Sequence, residues 1–138
     1  MLGCRSSRGI HALCEEVIYD ALMVEPRTLD EIFASADELP GEVIRDCVVH
    51  MQRDGMIVWL CRDESGAGLW ALVDERVRLA IVEGAPTLLS VIAHLDRMCE
   101  QLGHQTISPI LIKRARGRLL ARGVIRSGPM RAAQEATL

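Results

Sequence analysis

Aromatic residues are nearly missing from this chain: Tyr19, Phe33, Trp59 and Trp70 are the full set. A core must therefore be built from Leu, Ile, Val, Met and Ala, which suit helices better than a β-sandwich. No apolar run approaches the roughly 20 residues that cross a bilayer. The start, MLGCRSSRGI, carries charge but lacks the apolar stretch of a secretory signal. Five cysteines, an odd number without regular close spacing, argue against a disulfide framework and fit a reducing compartment. A cytoplasmic protein with no membrane partner is expected. Catalytic signatures are missing too. No Gly-rich phosphate loop follows a strand, no G-x-S-x-G occurs, and no carboxylate pair is framed by a pocket. The expectation is a chain that is not an enzyme and needs no cofactor.

The last absence is regional. Between Gln101 and Gln134 there is no acid, so residues 101–138 hold 7 cations against Glu135, a balance of +6. Residues 1–100 hold 9 Arg and 18 acids, a balance of −9. Such a split suggests that one end meets a polyanion or an acidic partner surface, and that the acidic part suits a basic partner.

What is present is a repeated pattern. PGEVIRDCVVHMQRDGMI, from Pro40 to Ile57, is echoed 68 positions later by SPILIKRARGRLLARGVI, from Ser108 to Ile125. Each reads as a helix start, an amphipathic helix, a glycine stop and two apolar residues. Ile44 falls on Ile112, Cys47 on Ala115, Met51 on Leu119 and Gly55 on Gly123. With 49% hydrophobic residues, 138 positions suffice for one ordinary domain or two minimal ones.

In chain order, residues 1–9 read as a loose arm. Helical spacing then runs through Ile10, Leu13, Cys14, Val17, Ile18, Ala21 and Leu22 until Pro26 ends it. Thr28-x-x-Glu31 is a capping box that opens a short second helix with Ile32, Phe33 and Ala36 on its apolar side. Pro40 opens the third, whose buried stripe is Val43, Ile44, Cys47, Val48 and Met51. Met56–Cys61 and Leu69–Val73 flank the turn cluster Arg62–Gly68 and form a β-hairpin. A helix over 74–83 follows, then Gly84-Ala85-Pro86, the expected boundary between units. Leu88–Leu102 is helical, and its later half, Leu95-Asp96-Arg97-Met98, resembles Leu29-Asp30-Glu31-Ile32. Ser108-Pro109 starts the last helix, which Gly123 stops, and residues 128–138 read as a flexible tail.

Three helices and a hairpin within residues 10–73 resemble the winged helix-turn-helix superfamily. The resemblance implies a mainly α fold with a small β-hairpin: a winged-helix unit at 10–84 and a second, wing-poor helical unit at 85–127. It implies DNA binding by a transcriptional or other regulator of bacterial or viral type. It also implies a homodimer, because such proteins commonly dimerise.

The exposed positions of the two third helices differ. In the first unit they are Glu42, Arg45, Asp46, Val49 and Arg53. In the second they are Ile110, Lys113, Arg114, Gly117 and Ala121, with Arg116, Arg118 and Arg122 flanking. A helix entering the major groove brings cations to phosphates and forked donors to base edges. Lys113, Arg114, Arg116, Arg118, Arg122 and Arg126 are therefore the expected DNA contacts. Gly117, unfavourable inside a helix by about 1 kcal/mol, is expected to mark a close approach by another backbone. The hairpin tip, with Asp63 and Glu64, would repel phosphates. This supports the alternative of a protein-interaction module that uses Asp63, Glu64, Arg45 and Asp46. His11-x-x-Cys14 and Cys47-x-x-His50 have metal-ligand spacing, yet both cysteines fall in hydrophobic stripes, so no metal is expected.

Overall fold

A computed structural model describes residues 2–126. In chain order the elements are α1 (Leu2–Val24), β1 (Arg27–Thr28), α2 (Leu29–Ser35), α3 (Gly41–Arg53), β2 (Ile57–Arg62), β3 (Gly68–Leu72), α4 (Val73–Val82), α5 (Leu88–Leu102) and α6 (Pro109–Ala121). The chain is mainly helical with one small three-stranded antiparallel sheet, ordered β1-β3-β2. It divides into two compact units, Met1–Leu72 and Val73–Leu138.

That division corrects the boundary expected at Gly84-Ala85-Pro86. Gly84, at φ +113°, is the stop of α4 and not a linker. The Ala85 N–H donates to Ala80 O at 3.0 Å and the Gly84 N–H to Ile81 O at 3.0 Å. This pair of bonds is a Schellman closure, which satisfies carbonyls left over at a helix end. Helix α4 packs against α5 and α6 and so belongs to the second unit.

In the first unit, the buried face of α1 is Cys14, Ile18, Tyr19 and Leu22. Ile10 and Leu13 lie outside it, 36% and 55% exposed. The helix also reaches back to Leu2, where an arm over 1–9 was expected. Periodicity marks where a helix buries apolar side chains, not where its backbone begins, and Gly9 weakens a helix without ending it. The expected tail at 128–138 lies outside the described residues.

The capping box forms as read. The Thr28 N–H donates to Glu31 Oε1 at 2.9 Å, and the Glu31 N–H donates to Thr28 Oγ1 at 3.3 Å. Ile32 from α2, Ala36 at its C-cap, and Ile44, Cys47, Val48 and Met51 from α3 close the core with Ile57 and Leu72 of the hairpin. In the sheet, Trp59 stands opposite Trp70. Leu60 is the extra residue of a bulge between Trp59 and Cys61. Gly68 lies beneath the Trp59 ring, and a Cβ there would come within 2.8 Å of Trp59 Nε1. The third strand, β1, pairs with β3 through Arg27 and Thr28 alone. Two residues carry no alternation, so sequence reading yields only the hairpin.

The hairpin turn is built by Asp63. Its Oδ1 accepts from the Ser65 hydroxyl at 2.6 Å, the Ser65 N–H at 2.9 Å and the Ala67 N–H at 2.9 Å. These bonds, the Ser65 hydroxyl foremost, hold its carboxyl below the usual Asp range.

The second unit is three helices, with no strand among its described residues. Its buried residues include Val77, Ala80, Val91, Leu95, Cys99, Ile112, Ala115 and Leu119. Helix α5 is continuous from a capping box at Thr87 and Ser90 to Gly103, which lies in the left-handed region at φ +69°. The helix read over Leu88–Leu102 forms over those residues, and Leu95-Asp96-Arg97-Met98 is its second half. Sequence reading missed the box because Ser90 replaces the usual Glu or Gln.

Candidate nucleic-acid interface

Helices α3 and α6 repeat one another bond for bond. Each has 13 residues. The preceding residues, Pro40 and Ser108, have φ/ψ of −59°/138° and −58°/133°. The first carbonyl bond pairs Ile44 N–H with Pro40 O at 3.2 Å, and Ile112 N–H with Ser108 O at 3.1 Å. At the other end, Gly55 (φ +69°) and Gly123 (φ +73°) take the left-handed position. There Met56 N–H donates to Met51 O at 2.9 Å, and Val124 N–H donates to Leu119 O at 3.0 Å. A Cβ at φ near +70° would strain either stop by about 1–2 kcal/mol, so glycine suits both. The buried stripes match as well: Ile44, Cys47 and Met51 against Ile112, Ala115 and Leu119.

The outward faces do not match. On α3, Glu42, Arg45, Asp46, Val49 and Arg53 are exposed; on α6, Ile110, Lys113, Arg114, Gly117 and Ala121 are. Among the described residues the close backbone approach expected at Gly117 does not occur, since a Cβ placed there would meet nothing within 4 Å. The glycine leaves a shallow, bare stretch of helix beside Lys113 and Arg114.

The six cations expected to contact DNA are sorted by their surroundings. Lys113 and Arg114 are exposed on α6. Arg118 turns to the protein itself. Its Nη2 donates to Asp74 Oδ1 at 2.6 Å and its Nε to Oδ1 at 3.0 Å, and Asp74 is fully buried. A guanidinium that neutralises a buried carboxylate has little left for a phosphate. This removes Arg118 from the expected contact set. Arg116 is half-buried beside a cavity that Arg126 also lines. Arg122 and Arg126 are exposed, and each has an interaction of its own.

A second buried pair lies next to the first. Arg76 Nε donates to Glu75 Oε1 at 2.6 Å and Nη2 to Oε2 at 2.8 Å, with both residues buried. These pairs consume charge of both signs equally, so the unit's excess survives them. Counted by unit, Met1–Leu72 has 13 acids and 6 Arg, or −7. Val73–Leu138 has 10 Lys plus Arg and 6 acids, or +4.

The residues of the alternative surface also separate. Arg45 and Asp46 are exposed on α3, and Asp46 lies 3.9 Å from His11 Nε2. Glu64 is exposed at the hairpin tip, whereas Asp63 is engaged within the turn. Asp63 thus shapes the tip and stays ionised there, with Oδ1 taken up by the turn.

The metal-spaced pairs place Cys14 and Cys47 side by side in the core, while His50 points to solvent. Cys47 Sγ reaches His11 O at 3.5 Å. Burial pushes the Cys47 thiol up to about 12 and raises that of Cys14. Both stay protonated, as packed apolar groups. Among the described residues, no three potential ligands gather around a metal position, and no helix is long and apolar enough to cross a membrane.

Comparison with protein-family models, curated proteins and solved structures gives no match.

Proposed function

We propose that the first unit is a winged helix and that the protein binds duplex DNA through the exposed face of α6 in the second unit. The element order α1-β1-α2-α3-β2-β3 and the sheet order β1-β3-β2 support the first part. The second rests on one observation. Lys113 and Arg114 stand exposed on a helix whose segment, from residue 101 to 126, contains no acid. Phosphate contacts need cations that are not already neutralised, and these two meet that condition. The bare backbone at Gly117 lets a sugar-phosphate strand lie close between them and Ala121. On this reading the protein is a DNA-binding regulator whose first unit carries a mixed-charge α3 that stays off the DNA. Glu42 and Asp46 would face phosphates at the positions where α6 offers Ile110 and Arg114.

The test is a salt titration of binding to random duplex DNA. Each phosphate contact releases condensed counterions, so log K falls by about 0.9 per contact for each unit of log[salt]. Replacing Lys113 and Arg114 with Gln should flatten the slope by roughly two units and weaken binding to every sequence alike. The outcome that favours a protein-interaction module is no salt-dependent binding at low salt, together with loss of a protein partner on Glu64→Lys.

A further inference from the structure

The second unit contains an open cavity of about 400 Å³, within the range of roughly 300–1,000 Å³ usual for small-molecule sites. Its walls combine two chemistries. Ile81, Val82 and Ile125 supply apolar surface, while Arg78, Arg116 and Arg126 bring three guanidinium groups to the lining. Among the described residues, no carboxylate lines it. Arg78 and Arg116 form no hydrogen bond or ion pair among the described residues. The same unit neutralises two further helix arginines, Arg76 and Arg118, through Glu75 and Asp74. Arg78 is exposed and Arg116 half-buried, and both stand beside an apolar wall without a carboxylate partner among the described residues.

We infer that this cavity binds a small amphipathic anion, one carboxylate or phosphate head on an apolar body. Arg78 on α4 and Arg116 on α6 would take the head, because a guanidinium presents paired donors that fit either group. The body would lie over Ile81, Val82 and Ile125, removing their surface from water. Val82, 71% exposed, gains the most cover from such a ligand. The site is distinct from the DNA face, since Arg116 lies half-buried beside the cavity while Lys113 and Arg114 face solvent. The inference does not depend on DNA binding.

The experiment is calorimetric titration of the full chain with four probes: octanoate, octyl phosphate, octanol and acetate. Octanoate or octyl phosphate should bind at least about tenfold more tightly than octanol or acetate, and the better of the two identifies the head. Replacing Arg78 and Arg116 with Gln should weaken that binding by about tenfold or more, the loss expected for hydrogen bonds to a charged group. Val82→Asp sets a carboxylate at a largely exposed lining position and should abolish binding without unfolding the unit, as a thermal melt would verify. The Lys113→Gln, Arg114→Gln double variant should bind the probe as the parent chain does. Octanol binding as tightly as octanoate would overturn the inference, as would equal binding of acetate. So would octanoate binding that survives both the arginine replacements and Val82→Asp, or the absence of binding by either anionic octyl probe.

Discussion

Helices α3 and α6 share length, cap geometry, glycine stop and buried stripe, yet present different charge patterns to solvent, mixed on α3 and cationic on α6. The inward positions are held by packing, which tolerates only apolar residues of fitting size. The outward positions carry no such constraint, so what they hold reflects what each helix meets. One scaffold, used twice in a chain, therefore separates the residues needed to fold from those available for binding. The central reading here is that α6, and not α3, is the DNA helix.

The largest expected effects lie where the two helices agree. Ile44→Ala and Ile112→Ala should each destabilise their unit by about 2–5 kcal/mol, the range for truncating a buried aliphatic. Both side chains are nearly inaccessible, 3% and 0% exposed. Trp59 and Trp70 both sit in the first unit, so their fluorescence follows Ile44→Ala directly. Amide exchange in α6 would follow Ile112→Ala. A negligible loss from either would break the equivalence of the two stripes.

A sharper difference appears one position along the repeat, where His50 corresponds to Arg118. Arg118→Ala leaves the buried Asp74 without its guanidinium and should cost about 2–4 kcal/mol, between an unsatisfied buried group and a broken buried pair. His50 is exposed, and His50→Ala should stay within about 0.5 kcal/mol. Denaturant melts of the two variants compare them. Equal losses would mean that Arg118 is a surface cation after all, and would return it to the DNA contacts.

The smallest effects concern acid. In the second unit, burial lowers the pKa of His104 below the ordinary His value, with the Arg76 charge adding to it, and Nδ1 has no hydrogen-bond partner among the described residues. A depressed histidine binds its proton more readily when unfolded. The second unit should therefore lose stability as pH falls below about 6.5, the unperturbed value. In the first unit, Asp63 and Glu31 have lowered pKa values, from the Ser65 hydroxyl and the Thr28 backbone N–H respectively. Their contribution is present above the ordinary carboxylate range and is lost as pH falls through and below about 4. Tryptophan fluorescence should thus change at lower pH than amide exchange in α6, and His104→Gln should remove the upper step. Coincident changes at one pH would contradict this.

How far the sequence speaks follows from the same division between packing and solvent. The α3/α6 repeat was legible because buried aliphatics at helical spacing and a terminal glycine leave a strong periodic mark. Thr28-x-x-Glu31 was legible because two specific side chains must cooperate. Strand β1 was not, since two residues have no period. The unit boundary was misread because a helix stop such as Gly84 looks the same in sequence as a linker. Arg118 was counted with the solvent-facing cations because its partner, Asp74, lies 44 positions away and on another helix. Asp63 was read as a tip charge, although an Asp two residues before a Ser has an alternative use in closing a turn. In each miss, a polar side chain served the fold while its sequence neighbourhood described a surface.

The most direct measurement is an amide NMR titration of the full chain with a short random-sequence duplex at low salt. The account predicts perturbation concentrated at Ile110, Lys113, Arg114, Gly117 and Ala121, with α3 and the 63–67 turn unmoved. Added salt should reverse it, and Lys113→Gln with Arg114→Gln should weaken it. Perturbation centred instead on Arg45, Val49 and Arg53, with α6 silent, would contradict the account and make α3 the nucleic-acid helix.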